Sequence, residues 1–394
     1  MEKDSSLHWH GPAWYAGRRF PGSTGQIPGL PGDVDLLEAF AGDHTLSGPL
    51  PSCVLIDATE VAGHGEPAEF YGWLDLQVAA LETDVPILVL CAAGEDLPEK
   101  PRIHAVIDRQ VPDDILFASI CDLQRTLIRV EEARVRRLTF GRIPGYTGAR
   151  RHRGGSGLLV IGLGTRFLEL THALKKNVET VGAFDQVMGE TYLARRAFDA
   201  VILDGDYADI YETLRQLRID PRYVSLPVLA IASHKTDVLS LFKAGASDVI
   251  FGNLTETNLK MRLATAIRSG KRRRLADRVL AESHHWLTRR LQAGGISREC
   301  YDAYLMRSRE AAKKRGLDIC ELVLLPHNFA EADFRLDSAT DLFGTVLSVA
   351  DATSREEDLV CYVQDLGPMA VLKNERGKTR LEERINAILS HTQI

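Results

Sequence analysis

The chain has 394 residues, of which 45% are hydrophobic and 26% charged, and its formal net charge is −6. This composition is typical of soluble globular proteins and excludes a chain that is disordered, collagen-like or coiled-coil throughout. The acidic balance also argues against a general nucleic-acid binder, which needs a basic surface, and the length predicts two or three domains.

The sequence shows neither a membrane-spanning segment nor a secretory signal. The apolar runs at 85–93 and 158–163 are far shorter than the roughly 20 residues that a membrane-spanning helix needs. The first residues lack the basic-then-apolar order of a secretory signal. Six cysteines stand singly, without any CxxC pair, which fits a reducing compartment and gives no metal signal. We therefore expect a cytoplasmic protein with no membrane span, no nucleic-acid site and no metal.

The first 140 residues contain two short, continuous apolar runs, at 53–58 and 85–92. Such runs are typical of buried parallel strands. A helical pattern follows over 115–137, whereas the Gly- and Pro-rich first fifty residues show no evident strand. Residues 141–156 have the composition of a flexible, basic, glycine-rich linker.

Residues 157–290 alternate strands and helices regularly, which predicts a doubly wound parallel sheet. The last helix of this region should run on as a connecting helix through 271–290. Its basic cluster, 271–274 (KRRR), is interpreted as a solvated helix face. The predicted strands are 158–161, 178–183, 200–203, 228–232 and 248–251.

This region resembles a response-regulator receiver domain. The resemblance implies that Asp204, at the end of the third strand, stands at the position that accepts phosphate. The acidic pair that holds Mg²⁺ in that family is replaced by Gly-Leu at 162–163, and its Lys-Pro by Gly-Asn at 252–253. Because phosphoryl transfer needs a divalent ion, we expect a pseudo-receiver in which Asp204 caps the strand. The resemblance rests on 198–204 (FDAVILD), 226–233 (LPVLAIAS) and 244–254 (AGASDVIFGNL).

Residues 50–135 resemble a more eroded receiver domain. The stretch CVLIDATE places Asp57 at the acceptor position, and Arg109 stands where the family has its lysine. The resemblance thus implies Asp57, beside Asp204, as a possible phospho-acceptor. A phosphorylation-driven response regulator therefore remains an alternative function.

The C-terminal segment contains REEDLVCYVQDLGPMAVLK (355–373). It has an RxxD motif at Arg355 and Asp358, then five residues, a turn at 364–368 and an apolar strand. This arrangement resembles the centre of a GGDEF domain, the fold of the diguanylate cyclases. The predicted elements are helix 299–315, strand 319–325, strands 358–363 and 369–372, and helix 378–389.

The turn departs from the GGDEF pattern at the positions that the resemblance makes catalytic. Active members use small glycines to approach GTP and carboxylates to hold Mg²⁺. Here Gln364 and Pro368 bound the turn, Leu366 and Gly367 replace its carboxylates, and Pro326 replaces a second metal ligand. The segment also ends before the last strands and helix of an ordinary GGDEF domain. We therefore expect a truncated, degenerate GGDEF domain that is not an enzyme.

The resemblance implies that the RxxD motif binds cyclic di-GMP. In the GGDEF family this motif holds the product, with help from an arginine on a later helix, matched here by Arg384 in Glu-Arg-Ile. Arg355 and Arg384 can bind guanine or phosphate through bidentate hydrogen bonds, and Asp358 can accept from guanine N–H groups. RxxD also occurs by chance at Arg196, Arg274 and Arg315.

The sequence thus predicts an α/β fold in which two flavodoxin-type doubly wound domains (1–140 and 157–290) are followed by the GGDEF-like domain (291–394). It resembles the PleD class and, with a degenerate turn and a retained RxxD, the PopA-like cyclic di-GMP effectors. That resemblance implies a receiver-mediated homodimer at the cell pole, an RcdA-like adaptor, and delivery of CtrA to the ClpXP protease. A nucleotide-independent receiver-based scaffold is a further alternative.

Overall fold

The computed structural model describes residues 7–19, 32–92, 94–97, 100, 102–141, 157–164, 166–174, 178–252, 254–291, 293–324 and 336–391, with side chains for all of these except 336–342 and 389–391. The chain divides into two compact units. The first combines Met1–Leu127 with Gly148–Arg274, and the second combines Ile128–Thr147 with Leu275–Ile394. Two long helices therefore begin in the first unit and end in the second.

The first sheet has five parallel strands in the order β2-β1-β3-β4-β5. Every side chain of β3 and β4 is buried, because helices cover both faces of the sheet. The first strand, which the sequence pattern did not reveal, is the four-residue β1, paired with β3. The elements are β1 (Ala13–Ala16), β2 (Val34–Asp35), α1 (Leu36–Ala41), β3 (Cys53–Asp57), α2 (Ala58–Gly63), α3 (Pro67–Ala80), β4 (Ile87–Cys91), β5 (Ala105–Asp108) and α4 (Asp113–Phe140).

The second sheet repeats this topology, with all five strands parallel in the order β7-β6-β8-β9-β10. Each sheet thus has the 2-1-3-4-5 order of the flavodoxin-type doubly wound fold, which confirms the predicted fold class. All five predicted strands form, within two residues of the predicted bounds. The elements are β6 (Gly157–Gly162), α5 (Phe167–Ala173), β7 (Glu179–Ala183), α6 (Gln186–Arg195), β8 (Ala200–Asp204), α7 (Tyr207–Ile219), β9 (Val228–Ala232), α8 (Val238–Ala244), β10 (Asp248–Phe251) and α9 (Glu256–Leu291).

The two sheets of the first unit share the beginning of α9. Edge strands β5 and β10 are adjacent. The amide of Asn258 donates to the carbonyl oxygens of Ala92 (3.1 Å) and Glu95 (2.9 Å) of the first sheet's loop. Arg262, which is 3% exposed, forms an ion pair of 2.5 Å with Asp248 on β10. One helix therefore satisfies polar groups of both receiver-like sheets.

The basic cluster at 271–274 on α9 contacts protein groups as well as solvent. Arg272 Nη1 lies 2.8 Å from Nε2 of His104, and Arg274 forms a 2.9 Å ion pair with buried Asp199. Arg273 donates to the hydroxyl of Ser225. The interpretation of the cluster as a solvated face is therefore wrong for these three arginines, because protein acceptors lie within their reach.

The second unit contains an antiparallel sheet in the order β11-β13-β12. Alternate side chains of β12 point to two apolar clusters, one on each side of the sheet. The ends of α4 and α9 contribute Val135 and Leu287 to one of these clusters. The long helix α11 was not predicted. The elements are α10 (Arg298–Lys313), β11 (Cys320–Val323), α11 (Leu336–Thr353), β12 (Leu359–Val363), β13 (Gly367–Leu372) and α12 (Glu375–His391).

No helix among the described parts of the chain combines the length and the apolar character needed to cross a bilayer.

Candidate functional site

Asp57 lies where the receiver resemblance placed it, at the end of β3, and is 2% exposed. Its Oδ2 accepts from Nε of Arg109 at 2.7 Å, and its Oδ1 accepts from the backbone N–H of Thr59 at 3.1 Å. Arg109 also binds Glu60 at 2.7 Å through its Nη2. Both carboxylate oxygens of Asp57 are thus engaged within the protein.

The loop after β1, where a receiver holds its acidic pair, carries Gly17 and Arg18. Gly17 has φ +84°, and a Cβ there would stand 2.4 Å from Cγ of Glu60. Arg18 donates to the carbonyl oxygen of Arg109 at 3.0 Å and pairs with Asp113 at 2.5 Å. This position supplies a cation where Mg²⁺ binding needs carboxylates. Across the described residues, no cluster of three His, Cys, Asp or Glu side chains could hold a metal ion.

Asp204 lies at the matching place in the second sheet, at the end of β8, and is 4% exposed. Its Oδ2 accepts from the backbone N–H of Arg166 at 3.1 Å, and its carbonyl oxygen accepts from Leu163 N–H at 2.7 Å. Gly162 has φ +128°, and a Cβ there would stand 2.0 Å from that carbonyl oxygen. Backbone N–H groups of Leu163 and Arg166, both described residues of the connection between β6 and α5, therefore bind the carbonyl oxygen and the carboxylate of Asp204.

The RxxD motif forms a closed turn between α11 and β12. Arg355 N–H donates to Oδ2 of Asp358 at 3.1 Å, and Asp358 N–H donates to the carbonyl oxygen of Arg355 at 3.0 Å. The Arg355 side chain is exposed and Asp358 is half-buried. Burial raises the pKa of Asp358 to about 6, with a smaller contribution from Glu357; the Arg355 backbone N–H acts in the opposite direction.

Arg384, the third predicted ligand, lies on α12 and is exposed. Its Nη1 donates to the carbonyl oxygen of Thr353, at 3.4 Å. Thr353 is the last residue of α11 and precedes Arg355 by two positions. The structure thus brings Arg384 to the helix end from which the RxxD turn begins.

The hairpin between β12 and β13 carries the turn that corresponds to GGDEF. Val363 is paired with Gly367, so Gln364, Asp365 and Leu366 form the loop. Asp365 and Gly367 both have positive φ, at 65° and 83°. Asp365 is the single acidic residue of the turn, and it does not stand at either predicted carboxylate position. Pro326 lies outside the described residues.

A buried network of charged side chains next to the RxxD turn was not predicted from the sequence. Glu132 and Arg136 on α4 are each 3% exposed, and their side chains pair at 2.6 Å. Lys373 Nζ binds the other Glu132 oxygen at 2.5 Å, and Tyr304 donates its hydroxyl to Glu132 at 2.8 Å. The available signal was the Glu132–Arg136 spacing of four on the apolar side of a helix, which places both on one face.

A second missed pair joins α9 to α11. Nδ1 of His284 lies 3.1 Å from Oδ1 of Asp351, and both side chains are about half exposed. Hydrogen bonding to Asp351 raises the pKa of His284. His284 therefore carries more positive charge near neutral pH than an ordinary surface histidine, beside an aspartate that precedes Arg355 by four positions.

No protein-family model matches the chain, and no curated protein matches it. Among solved structures, the receiver domain of a signal transduction histidine kinase from Syntrophus aciditrophicus is 22% identical, with 32% of this chain and 92% of that one covered and a TM-score of 0.25. Two proteins described as two-component system response regulator/GGDEF domain proteins are 15% and 13% identical, each with 66% of this chain and 100% of theirs covered and TM-scores of 0.27.

Proposed function

We propose that the chain is a non-catalytic effector that binds cyclic di-GMP at Arg355, Asp358 and Arg384. The observation that carries the proposal is the closed RxxD turn with Arg384 at the adjoining helix end. Arg355 and Arg384 both project from the surface, so their guanidinium groups are accessible to a ligand.

The chemistry of these three side chains fits a cyclic dinucleotide. Two guanidinium groups offset the two phosphate charges and can each donate two parallel hydrogen bonds to phosphate or to guanine O6 and N7. Asp358, when ionised, accepts from guanine N1–H and the exocyclic amino group. Its raised pKa means that this acceptor is lost as the pH falls through about 6.

The hairpin supports binding without cyclisation. Diguanylate synthesis needs metal-held phosphates, and the two carboxylate positions of this turn carry Leu366 and Gly367. In this proposal, the receiver-like domains do not carry out phosphotransfer. Asp57 is paired with Arg109, and the Asp204 carboxylate accepts from the backbone N–H of Arg166.

The cellular role comes from the resemblance to PopA-like effectors. We propose that ligand binding favours a state located at the cell pole, which recruits an RcdA-like adaptor and the regulator CtrA to the ClpXP protease. We further propose a homodimer through the receiver-like domains. Edge strands β5 and β10 are adjacent within one chain. Such a dimer would therefore use other surfaces of the receiver-like domains than these two edges.

Isothermal titration of cyclic di-GMP into the full chain tests the proposal. We expect micromolar or tighter binding that is lost in Arg355→Ala and weakened in Arg384→Ala. Arg376→Ala, which removes an exposed arginine two turns earlier on α12, is the matched control and should bind as the wild type does. Incubation with GTP and Mg²⁺ should yield no cyclic di-GMP.

Two other outcomes would replace the proposal. A wild type that takes up no cyclic di-GMP would leave a nucleotide-independent receiver-based scaffold. Mg²⁺-dependent binding of beryllofluoride that is abolished by Asp57→Asn or Asp204→Asn would instead indicate a phosphorylation-driven response regulator.

A further inference from the structure

Two arginines of helix α4, Arg129 and Arg136, bind the RxxD turn. Nη2 of Arg136 donates to the carbonyl oxygens of Glu356 (3.1 Å) and Asp358 (2.7 Å), which are residues of the turn itself. Arg129 pairs with the carboxylates of Glu356 and Glu357, the latter at 3.3 Å. The backbone and the two middle side chains of RxxD are thus bound by one helix.

The spacing of these residues explains how one helix does this. Arg129 and Arg136 are seven residues apart, which is two helical turns, so they lie on the same face. Glu132 lies between them on that face and anchors Arg136 at 2.6 Å. Because Glu132 is itself bound by Lys373 and Tyr304, the Arg136 guanidinium is held in place before any ligand arrives.

Arg136 is well suited to fix the turn. Its side chain is 3% exposed, so its hydrogen bonds to the two carbonyl oxygens are shielded from water. Its guanidinium donates from Nε to Glu132, from Nη1 to Ser283 and from Nη2 to the two carbonyl oxygens. These three nitrogens lie in one plane at fixed separations, and the single nitrogen of a lysine cannot reach all of their acceptors at once. Arg136 therefore sets the separation of the Glu356 and Asp358 carbonyl oxygens, and with it the backbone path that presents Arg355 and Asp358.

The same helix begins in the first receiver-like domain. Leu116 and Ile120 of α4 are fully buried there. Gln124 accepts from the N–H of His8 at 2.7 Å and donates to the carbonyl oxygen of Ser52 at 2.9 Å. Gln124 and Arg129 both lie within the continuous helix Asp113–Phe140.

We propose that Arg136 and Arg129 are positioning residues of the RxxD turn, through which its ligand affinity is coupled to the placement of helix α4. The ligand part of this inference rests on the proposed function. Coupling is reciprocal, so a ligand that prefers the turn as α4 holds it also stabilises α4 in that placement. Arg136, which lies 222 residues before Asp358, then sets the affinity of a site that it does not itself form.

Amide hydrogen exchange of the full chain tests the positioning without ligand. In Arg136→Lys, which keeps a positive charge beside Glu132 but loses the planar fork, we expect the amide of Asp358 and its neighbours at 353–358 to exchange at least several-fold faster. Arg134→Gln is the control, because Arg134 lies on the same helix, is 60% exposed and pairs with Glu131 of α4. Equal exchange in the two variants would overturn the proposal.

Arg129→Gln provides a second route if Arg136→Lys does not fold. Arg129 is 15% exposed and pairs with the carboxylates of Glu356, Glu357 and Asp277. Its loss should therefore speed exchange at 356–358 without removing the Arg136 contacts. Melting temperatures near that of the wild type would show that the effect is local.

Titration then tests the coupling. We expect cyclic di-GMP to bind Arg136→Lys about tenfold more weakly, the scale of one charge-assisted hydrogen bond, and to slow exchange at 128–140 in the wild type. Unchanged affinity in a folded Arg136→Lys would refute the coupling. A wild type that binds no cyclic di-GMP would refute the proposed function and the coupling together, while the ligand-free exchange result would still decide the positioning role.

Discussion

Arg109 holds the carboxylate of Asp57 in an ion pair of 2.7 Å at the end of β3. The Asp57 side chain is 3% exposed, whereas Arg109 is 35% exposed and also binds Glu60. An arginine therefore stands at the position of the receiver lysine. It pairs with the carboxylate that would accept a phosphoryl group in a phosphorylated receiver.

Removing this arginine should destabilise the first unit. In Arg109→Met, the buried Asp57 charge loses its partner, and we expect the free energy of unfolding in urea to fall by about 1–3 kcal/mol. Arg222→Met is the control, since Arg222 and its partner Asp220 form a surface pair that water screens, and its loss should cost much less. Equal losses in the two variants would show that the Asp57 pair is no stronger than a surface pair.

Gly162 should tolerate no side chain. Its φ of +128° and the 2.0 Å approach of a Cβ to the Asp204 carbonyl oxygen predict that Gly162→Ala loses at least about 2 kcal/mol of stability. A Cβ at Gly205, the residue after Asp204, would meet no heavy atom within 4 Å, so Gly205→Ala should be near neutral. Thermal unfolding of both variants compares them, and a tolerated Gly162→Ala would disprove the close approach of Gly162 to the Asp204 carbonyl oxygen.

Glu132 should be the most sensitive charged residue of the second unit. Burial acts to raise its pKa, but the combined effect of Lys373 and Arg136 outweighs burial and holds the pKa below its ordinary value. Glu132→Ala would leave both cations without their shared carboxylate, and we expect a loss of about 3–5 kcal/mol. Glu131→Ala, which removes the pair with Arg134, should cost under about 1 kcal/mol. Urea denaturation of the wild type and the two variants provides the measurement.

The ionised Asp358 carboxylate, a proposed ligand contact, should lower the free energy of unfolding at neutral pH. Its pKa in the folded protein, about 6, lies above the ordinary value of 3.8, so the folded state binds this proton more tightly than the unfolded state does. Stability therefore falls as the pH rises from about 4 to 6, and the loss persists at pH 7.5. Asp358→Asn should then be about 1–2 kcal/mol more stable than the wild type at pH 7.5 and equal to it near pH 4.

The same substitution should weaken cyclic di-GMP binding at pH 7.5, because an amide presents a donor where the carboxylate accepts. Thermal unfolding across pH 4–8 and titration at pH 7.5 measure the two effects in one variant. A destabilised Asp358→Asn at neutral pH would mean that the carboxylate is well solvated or paired in the folded protein.

The parts of the fold that were predictable are those with local signals. Strands of the second sheet form continuous apolar runs, and burial on both faces demands that pattern. Strand β1 has only four residues between glycine- and proline-rich stretches, and its identity depends on pairing with β3, which lies some forty residues later. Local periodicity cannot reveal a strand that short.

The residues of the candidate site show the same difference between local signals and contacts that are distant in sequence. Arg355, Asp358 and Arg384 were predicted from the resemblance of their motifs to a GGDEF domain, and the structure brings Arg384 to the helix end before the turn. Arg129 and Arg136 lie more than 200 residues before the turn that they bind, so no spacing rule connects them to it. Likewise, the arginines at 272–274 resembled a solvated cluster because their acceptors, such as Asp199 and His104, are distant in sequence.

The sharing of α9 between the two sheets of the first unit determines where the chain can be cut. A fragment that ended at residue 140 would lose Asn258, and the carbonyl oxygens of Ala92 and Glu95 would lose its donor groups. It would also expose the apolar surface of the first sheet on which Met261 packs. Expression of the first receiver-like segment alone should therefore give an aggregation-prone product, whereas a fragment retaining 7–274 keeps every one of these contacts.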